Sequence, residues 1–166
     1  MKLVIMIIAA LGLSVGPLFS GTLRFPAGRD ARFSFVIPAG WTTETDKEGT
    51  VEAHPANEEL YLAAWEVEDM ADVRFPAKSL QHLLGDCVKQ LKLTAMPERM
   101  KVGAFPAVVF TGTGQDADDG DSIRFFAVIV YTSREAASVI YLQADGEASK
   151  DELGMLKAIV ASLKPL

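Results

Sequence analysis

Cysteine is almost missing from this chain. Cys87 is the only one among 166 residues, so no intramolecular disulfide can form and the fold has to stand on packing alone. Histidine is nearly as scarce. His54 and His82 are far apart, and neither belongs to an H-x-x-x-H pair or a Cys/His cluster, the spacing that zinc sites use. No G-x-S-x-G elbow occurs, although a Ser-His-acid triad, whose members can be distant in sequence, stays open. No glycine-rich loop sits between a strand and a helix, so nucleotide binding has no support. Basic residues are in deficit, 16 against 22 acidic ones for a net charge of −6. That balance disfavours broad contact with nucleic acid or anionic lipid, which want clustered Lys and Arg.

What is present begins with an export signal. "MKLVIMIIAALGLSVGPLFSG" has one positive charge at Lys2, an apolar run from Leu3 to Leu13, then small residues and a helix-breaking Gly16-Pro17. That order is the one found in secretory signal peptides, and the apolar run is short for a membrane span of about 20 residues. The reading is a signal peptide over residues 1–22, cleaved near Ser20 or Gly21, with an uncleaved anchor as the alternative. No cysteine follows the apolar run, so a lipid-modified N-terminus is not expected. The expected localisation is exported, periplasmic or extracellular. One domain should span residues 23–166, a length that buries a core without disulfide staples.

Two helices are legible. In "PAKSLQHLLGDCVKQLKL", Leu80, Leu83, Leu84, Cys87, Val88 and Leu91 follow the stripe of an amphipathic helix. Pro76 stands where a first-turn proline is tolerated. On this reading Cys87 lies mid-stripe as a small hydrophobe, while His82, Gly85 and Lys89 face solvent on the opposite side. The second helix opens at "SKDE", Ser149 to Glu152, a capping box. Its apolar face is Leu153, Leu156, Ile159, Val160 and Leu163, and Pro165 ends it.

The rest reads as strands. They are Ala31–Ile37, Glu59–Val67, a short Met100–Val102, Phe105–Thr113, "SIRFFAVIVYTS" and "ASVIYLQAD", the last two joined by a turn at Ser133–Ala136. Phe125 to Tyr131 is apolar on both faces, unlike a half-exposed strand, so both faces of the sheet's centre need cover. Connections after Phe105 are too short for parallel crossovers. The expected fold class is α+β: a single-domain α/β/α sandwich, mostly antiparallel, with one helix on each face.

This order of elements resembles a known superfamily. "FSFVIPAGW" ending the first strand, "VGAFPAVVFTGTG", the long strands "FFAVIVY" and "VIYLQA", and a last helix closing on "IVASLK" are similar to the PsbP/DcrB-like superfamily. That group contains a lumenal photosystem II subunit and a bacterial envelope protein, and a nuclear Ran-binding protein shares its α/β/α sandwich. The resemblance covers roughly residues 30 to 165 and implies a fold and a habit: mostly non-enzymatic partners or accessory proteins of larger assemblies. An oxygen-evolving role is not carried over.

Three groups of residues are candidates for more. Trp41 follows the Pro38–Gly40 turn; burying such a ring explains it as packing, with a ligand-stacking site as the alternative. Trp65 reads as a sheet residue. In "QDADDGDS", Asp116, Asp118, Asp119 and Asp121 crowd one loop. Carboxylates are what calcium prefers, but the glycine falls at the fifth place and Ala127 stands at the twelfth, so an ordinary hairpin loop is the main reading. His54 and His82 carry no motif. We expect no catalytic residue, no metal site, no cofactor and no enzyme activity. The expected function is an exported accessory protein with a protein partner in the cell envelope, touching membrane only through an uncleaved N-terminal segment. The alternative is a small-ligand or metal-binding module at the sheet end near Trp41, His54 or the aspartate loop.

Overall fold

A computed structural model describes residues 19–28, 30–68 and 76–166; the expected leader up to residue 18 lies outside them. In chain order the elements are β1 (Phe19–Phe25), β2 (Phe33–Pro38), β3 (Thr42–Thr45), β4 (Val51–His54), β5 (Leu60–Val67) and α1 (Pro76–Leu83). There follow β6 (Val88–Leu93), β7 (Glu98–Val102), β8 (Phe105–Asp116), β9 (Ser122–Tyr131), β10 (Ala137–Asp145), α2 (Lys150–Ala161) and β11 (Lys164–Pro165). The chain is α+β, with two helices among the described residues and antiparallel pairing throughout the described ladders.

The expected single sheet is in fact two. The large one runs β3-β4-β5-β10-β9-β8-β6, with β7 pairing on β8, and a small one runs β1-β2-β11. The "FSFVIP" strand belongs to the small sheet. Its β1 partner starts at Phe19, so the first residues of that strand fall inside the segment read as leader. Gly21 lies against Ile37, where a Cβ would meet the Ile37 Cγ1 at 3.0 Å.

Strand alternation explains how the layers are assembled, because successive side chains point to opposite faces. On β9, Ile123, Phe125, Ala127 and Ile129 join a buried cluster with Leu80 of α1 and Leu84 beyond its end. Phe126, Val128 and Val130 join a second cluster with Leu156 and Ile159 of α2. Phe25, Phe33, Phe35 and Ile37 of the small sheet lie in that second cluster, so α2 shares its side with three short strands. The α2 C-terminus is tied to them directly. The Ser162 hydroxyl accepts from the Val36 N–H at 2.8 Å and donates to the Ile159 carbonyl at 2.6 Å.

The capping box is present as expected: the Glu152 N–H donates to the Ser149 hydroxyl at 3.2 Å, and the Ser149 N–H donates to the Glu152 carboxylate at 2.6 Å. The first helix departs from expectation. It ends at Leu83, and the stripe's second half, from Val88, is strand β6. Gly85 and Asp86 are poor helix formers and form the turn between them. The residues after that turn conceal a bulge. Between Lys89 and Lys92 the register on β8 slips by one residue, and Gln90 sits at φ 52°. One extra residue breaks period-2 alternation and leaves Val88 and Leu91 at a spacing that imitates a helix.

Bulge and strand are held by two glycines of "GTG". A Cβ on Gly112 would meet the Phe125 ring at 2.4 Å and the Lys92 carbonyl at 2.6 Å; one on Gly114 would meet Val88 Cγ1 at 2.4 Å. Overpacking of this kind costs about 1–3 kcal/mol. Gly112→Ala should lower the free energy of urea unfolding by that amount, whereas Gly154→Ala, whose Cβ would meet nothing within 4 Å, should not lower it.

Candidate functional site

One end of the large sheet gathers segments that are distant in sequence. Pairing Gln143 with Tyr61, Asp145 with Ile123, and Val88 with Asp116 brings together the β4–β5 turn, the end of β10, the β8–β9 hairpin and the turn before β6. They enclose a cavity of about 530 Å³. Its walls carry six carboxylates (Glu52, Glu58, Asp86, Asp116, Asp118 and Asp119) together with His54, Cys87, Tyr61, Tyr141 and Gln143.

Two sequence candidates meet here, His54 and the aspartate loop through Asp116, Asp118 and Asp119, and Cys87 joins them. Two do not. His82 is exposed on α1, and Trp41 packs against the α2-side core, away from this cavity's lining. Trp65 is half-buried in the α1-side core, 6.5 Å from the Tyr141 ring. Cys87 is a correction. It is not mid-helix but half-buried in the turn before β6, lining the cavity, because the helix stops one turn short of it. The residues that sequence reasoning missed are Glu52, Glu58, Tyr61, Tyr141 and Gln143. A hint lay in their period-2 positions, which put Tyr61 on one strand and Tyr141 on another facing the α1 side.

Four side chains of the cavity, Tyr141, Gln143, Asp116 and Asp119, are tied to one another or to the local backbone. The Tyr141 hydroxyl, whose ring stacks on Phe125 at 6.2 Å, donates to Gln143 Oε1 at 2.6 Å. The Gln143 amide in turn donates to the Asp116 carboxylate. The other oxygen of Asp116 accepts from the Asp118 N–H at 2.8 Å, and Asp119 accepts from the Asp121 N–H at 2.8 Å, the side-chain turns that aspartates make in hairpin loops. The Ala117 N–H reaches the Cys87 carbonyl at 3.1 Å, and the Lys89 ammonium reaches the Ala117 carbonyl. His54 Nδ1 lies 3.1 Å from the Pro55 carbonyl oxygen. Among the described residues no three His, Cys, Asp or Glu side chains are disposed to hold a metal ion.

Electrostatics point the same way. Burial, then the charges of Asp86, Asp116 and Asp118, pushes the Cys87 thiol up to about 11, so at neutral pH it is a thiol, not the nucleophilic thiolate. Burial and then the Glu52 carboxylate raise Tyr61, and burial followed by nearby negative charge raises Tyr141. These shifts keep the Cys87 thiol and both phenols protonated at neutral pH.

Comparison with solved structures fits this architecture to a known one. The chain superposes on the Ran-binding protein Mog1p of Saccharomyces cerevisiae with a TM-score of 0.57 at 8% identity, covering 87% of this chain and 95% of that one. The expected fold resemblance holds. The same fold matches a protein of Bacteroides thetaiotaomicron at a TM-score of 0.52 and 14% identity, covering 91% of this chain. The chain spans about half the length of that protein, 48%. LpqN of Mycobacterium tuberculosis, a protein involved in cell envelope biogenesis, is similar at a TM-score of 0.49 and 18% identity, over 87% of this chain and 90% of that one. No family model and no curated protein matches the sequence.

The raised thiol sets a pH dependence. Folded Cys87 keeps its proton up to about 11 while the unfolded side chain loses it near 9.0. Between those values the unfolded state binds fewer protons, so stability falls as pH rises through the window. Urea unfolding of the native chain should show this decline, and Cys87→Ala should flatten its first part, leaving the tyrosine contribution. Below pH 9.0 native Cys87 should alkylate about 100-fold more slowly than the urea-unfolded chain, in proportion to its thiolate fraction.

Proposed function

We propose that this chain is an exported, non-enzymatic accessory domain of the cell envelope that works by binding a protein partner. Residues 1–22 serve as its signal peptide, and residues 23–166 as an α/β/α sandwich of the PsbP/DcrB-like kind. The observation that carries the reading is the state of the cavity where the reactive candidates converge. Cys87 is held protonated to about 11, Asp116 accepts from its own hairpin and from Gln143, Asp119 accepts from the Asp121 N–H, and His54 Nδ1 lies against a neighbouring carbonyl. Groups so engaged hold a surface in shape; they are not poised as nucleophile and base.

Two further observations support it. Mog1p, whose fold this chain shares over most of both lengths, is a Ran-binding protein, so the fold supports protein recognition. No helix among the described residues is long and apolar enough to cross a membrane, which leaves the N-terminal segment as the membrane contact if it is not removed.

The test is crosslinking in living cells. A photoreactive side chain placed at exposed Glu52 or Lys101 should capture one specific envelope protein from at least one position, and the captured chain should begin after residue 22. Retention of the intact leader in the cytoplasm, or turnover of ester, peptide or phosphate substrates by the purified protein with no crosslink, would overturn the reading.

A further inference from the structure

On the α2 side the sheet is not fully covered. Beyond the helix edge, Thr113 of β8 pairs with Lys92 on one side and Arg124 on the other, and Thr111 pairs with Phe126. Directly paired residues point to the same face, so Lys92, Thr113 and Arg124 form one row across three strands. With strands about 4.8 Å apart, the two cations flank the threonine across roughly 10 Å. One turn apart on α2, Leu153 and Lys157 overhang this row. Thr111, Thr113, Arg124, Phe126, Leu153 and Lys157 line a groove of about 380 Å³. A second cavity of about 370 Å³ adjoins it, shares Thr113 and Arg124, and includes Lys92.

The charge distribution is the notable part. The chain carries 22 acids against 16 bases, yet neither of these two cavities has a carboxylate in its lining. Lys92, Arg124 and Lys157 are exposed, and none of them is in an ion pair among the described residues. Three like charges gathered without counter-ions repel one another, at a cost the fold has no visible need to bear. The acids are concentrated instead in the cavity at the sheet end, whose β4, β5 and β10 side chains face the α1 side. Beneath the cations, Phe126 and Leu153 offer an apolar floor.

We propose that this groove binds an amphiphilic phosphate, with the phosphate between Arg124, Lys157 and Lys92 and an acyl or alkyl tail over Phe126 and Leu153. A phosphate monoester carries up to two negative charges and three acceptor oxygens at neutral pH. Three cations and the threonine hydroxyls match that set more fully than they match a carboxylate. The Arg124 guanidinium supplies the paired donors that phosphate oxygens accept. The same chemistry is presented by a free phosphate ester and by an anionic lipid headgroup.

The test uses the full mature chain, with octyl phosphate, inorganic phosphate and octanol as probes, followed by NMR. Octyl phosphate should bind saturably, shifting the amides of Thr111, Thr113, Arg124 and Lys157, at least tenfold more tightly than either inorganic phosphate or octanol. Arg124→Gln with Lys157→Gln, both exposed and so compatible with folding, should weaken it by at least tenfold, whereas Asp118→Asn across the sheet should leave it unchanged. Vesicles containing phosphatidylglycerol, compared with phosphatidylcholine alone, identify the source. Retention on the anionic vesicles that is lost in the double variant assigns a lipid headgroup, and binding of octyl phosphate without retention assigns a soluble ester. Absence of saturable binding, shifts mapping elsewhere, or undiminished affinity in the double variant would overturn the proposal.

Discussion

Two adjacent strands that are apolar on both faces impose the constraint from which the rest follows. Along β9 and β10, every residue from Phe125 to Val130 and from Ala137 to Leu142 is buried. A sheet whose centre is apolar on both sides has to be covered twice. Leu80 and Leu84 contribute cover on one side; Leu156, Ile159 and the phenylalanines of the small sheet contribute it on the other. With no disulfide available, this double burial is where the stability resides. The large sheet can then afford polar, exposed edges such as Thr42–Thr45.

The same constraint shapes the sheet ends. Because β9 and β10 are long and fully covered along their middles, the segments that turn around at their ends have little apolar surface left to bury. The β4–β5 turn, the Gly85–Cys87 turn and the β8–β9 hairpin meet there as a polar rim around Tyr61 and Tyr141. Asp116 and Asp119 of that hairpin each turn one oxygen to a loop N–H two residues on, which tightens the loop at the mouth of the cavity. The thiol of Cys87 is raised by its burial and by the acids beside it.

Legibility in the sequence tracked how local each signal was. Helix α2 was readable because its cap and most of its stripe are local, but its end was not: the helix stops at Ala161 with Ser162 as cap, leaving Leu163 beyond it and Pro165 in β11. Strands β8, β9 and β10 were readable from length, β-branched content and short connections. The α1–β6 region was misread because a bulge at Gln90 converts strand spacing into an apparent helical stripe. The β3–β4 hairpin was not singled out because "TTET" is exposed along its whole length and offers no hydrophobic alternation. Strand β1 was not singled out because its first residues overlap the segment read as leader. At the site, His54, Cys87 and the aspartate loop were each noticed singly, yet their meeting was invisible. It depends on β5 pairing with β10 across some eighty residues, a long-range choice that no window of sequence contains. The groove under Lys157 was hidden for the same reason, since Lys92, Arg124 and Lys157 come from three separate elements.

A domain built this way separates its fold from its surfaces. Acids gather at the sheet end, and Lys92, Arg124 and Lys157 line the two cavities beside the α2 edge. The central claim is that the two-faced β9–β10 pair is the last structure to open, with everything around it depending on that pair. Native-state hydrogen exchange tests it most directly. The amides of Phe125–Val130 and Val139–Leu142 should exchange only through global unfolding, more slowly than those of β3, β4 and the 116–121 hairpin. If the β9 and β10 amides exchanged as fast as the β3–β4 hairpin, the central pair would not be the element on which the structure rests.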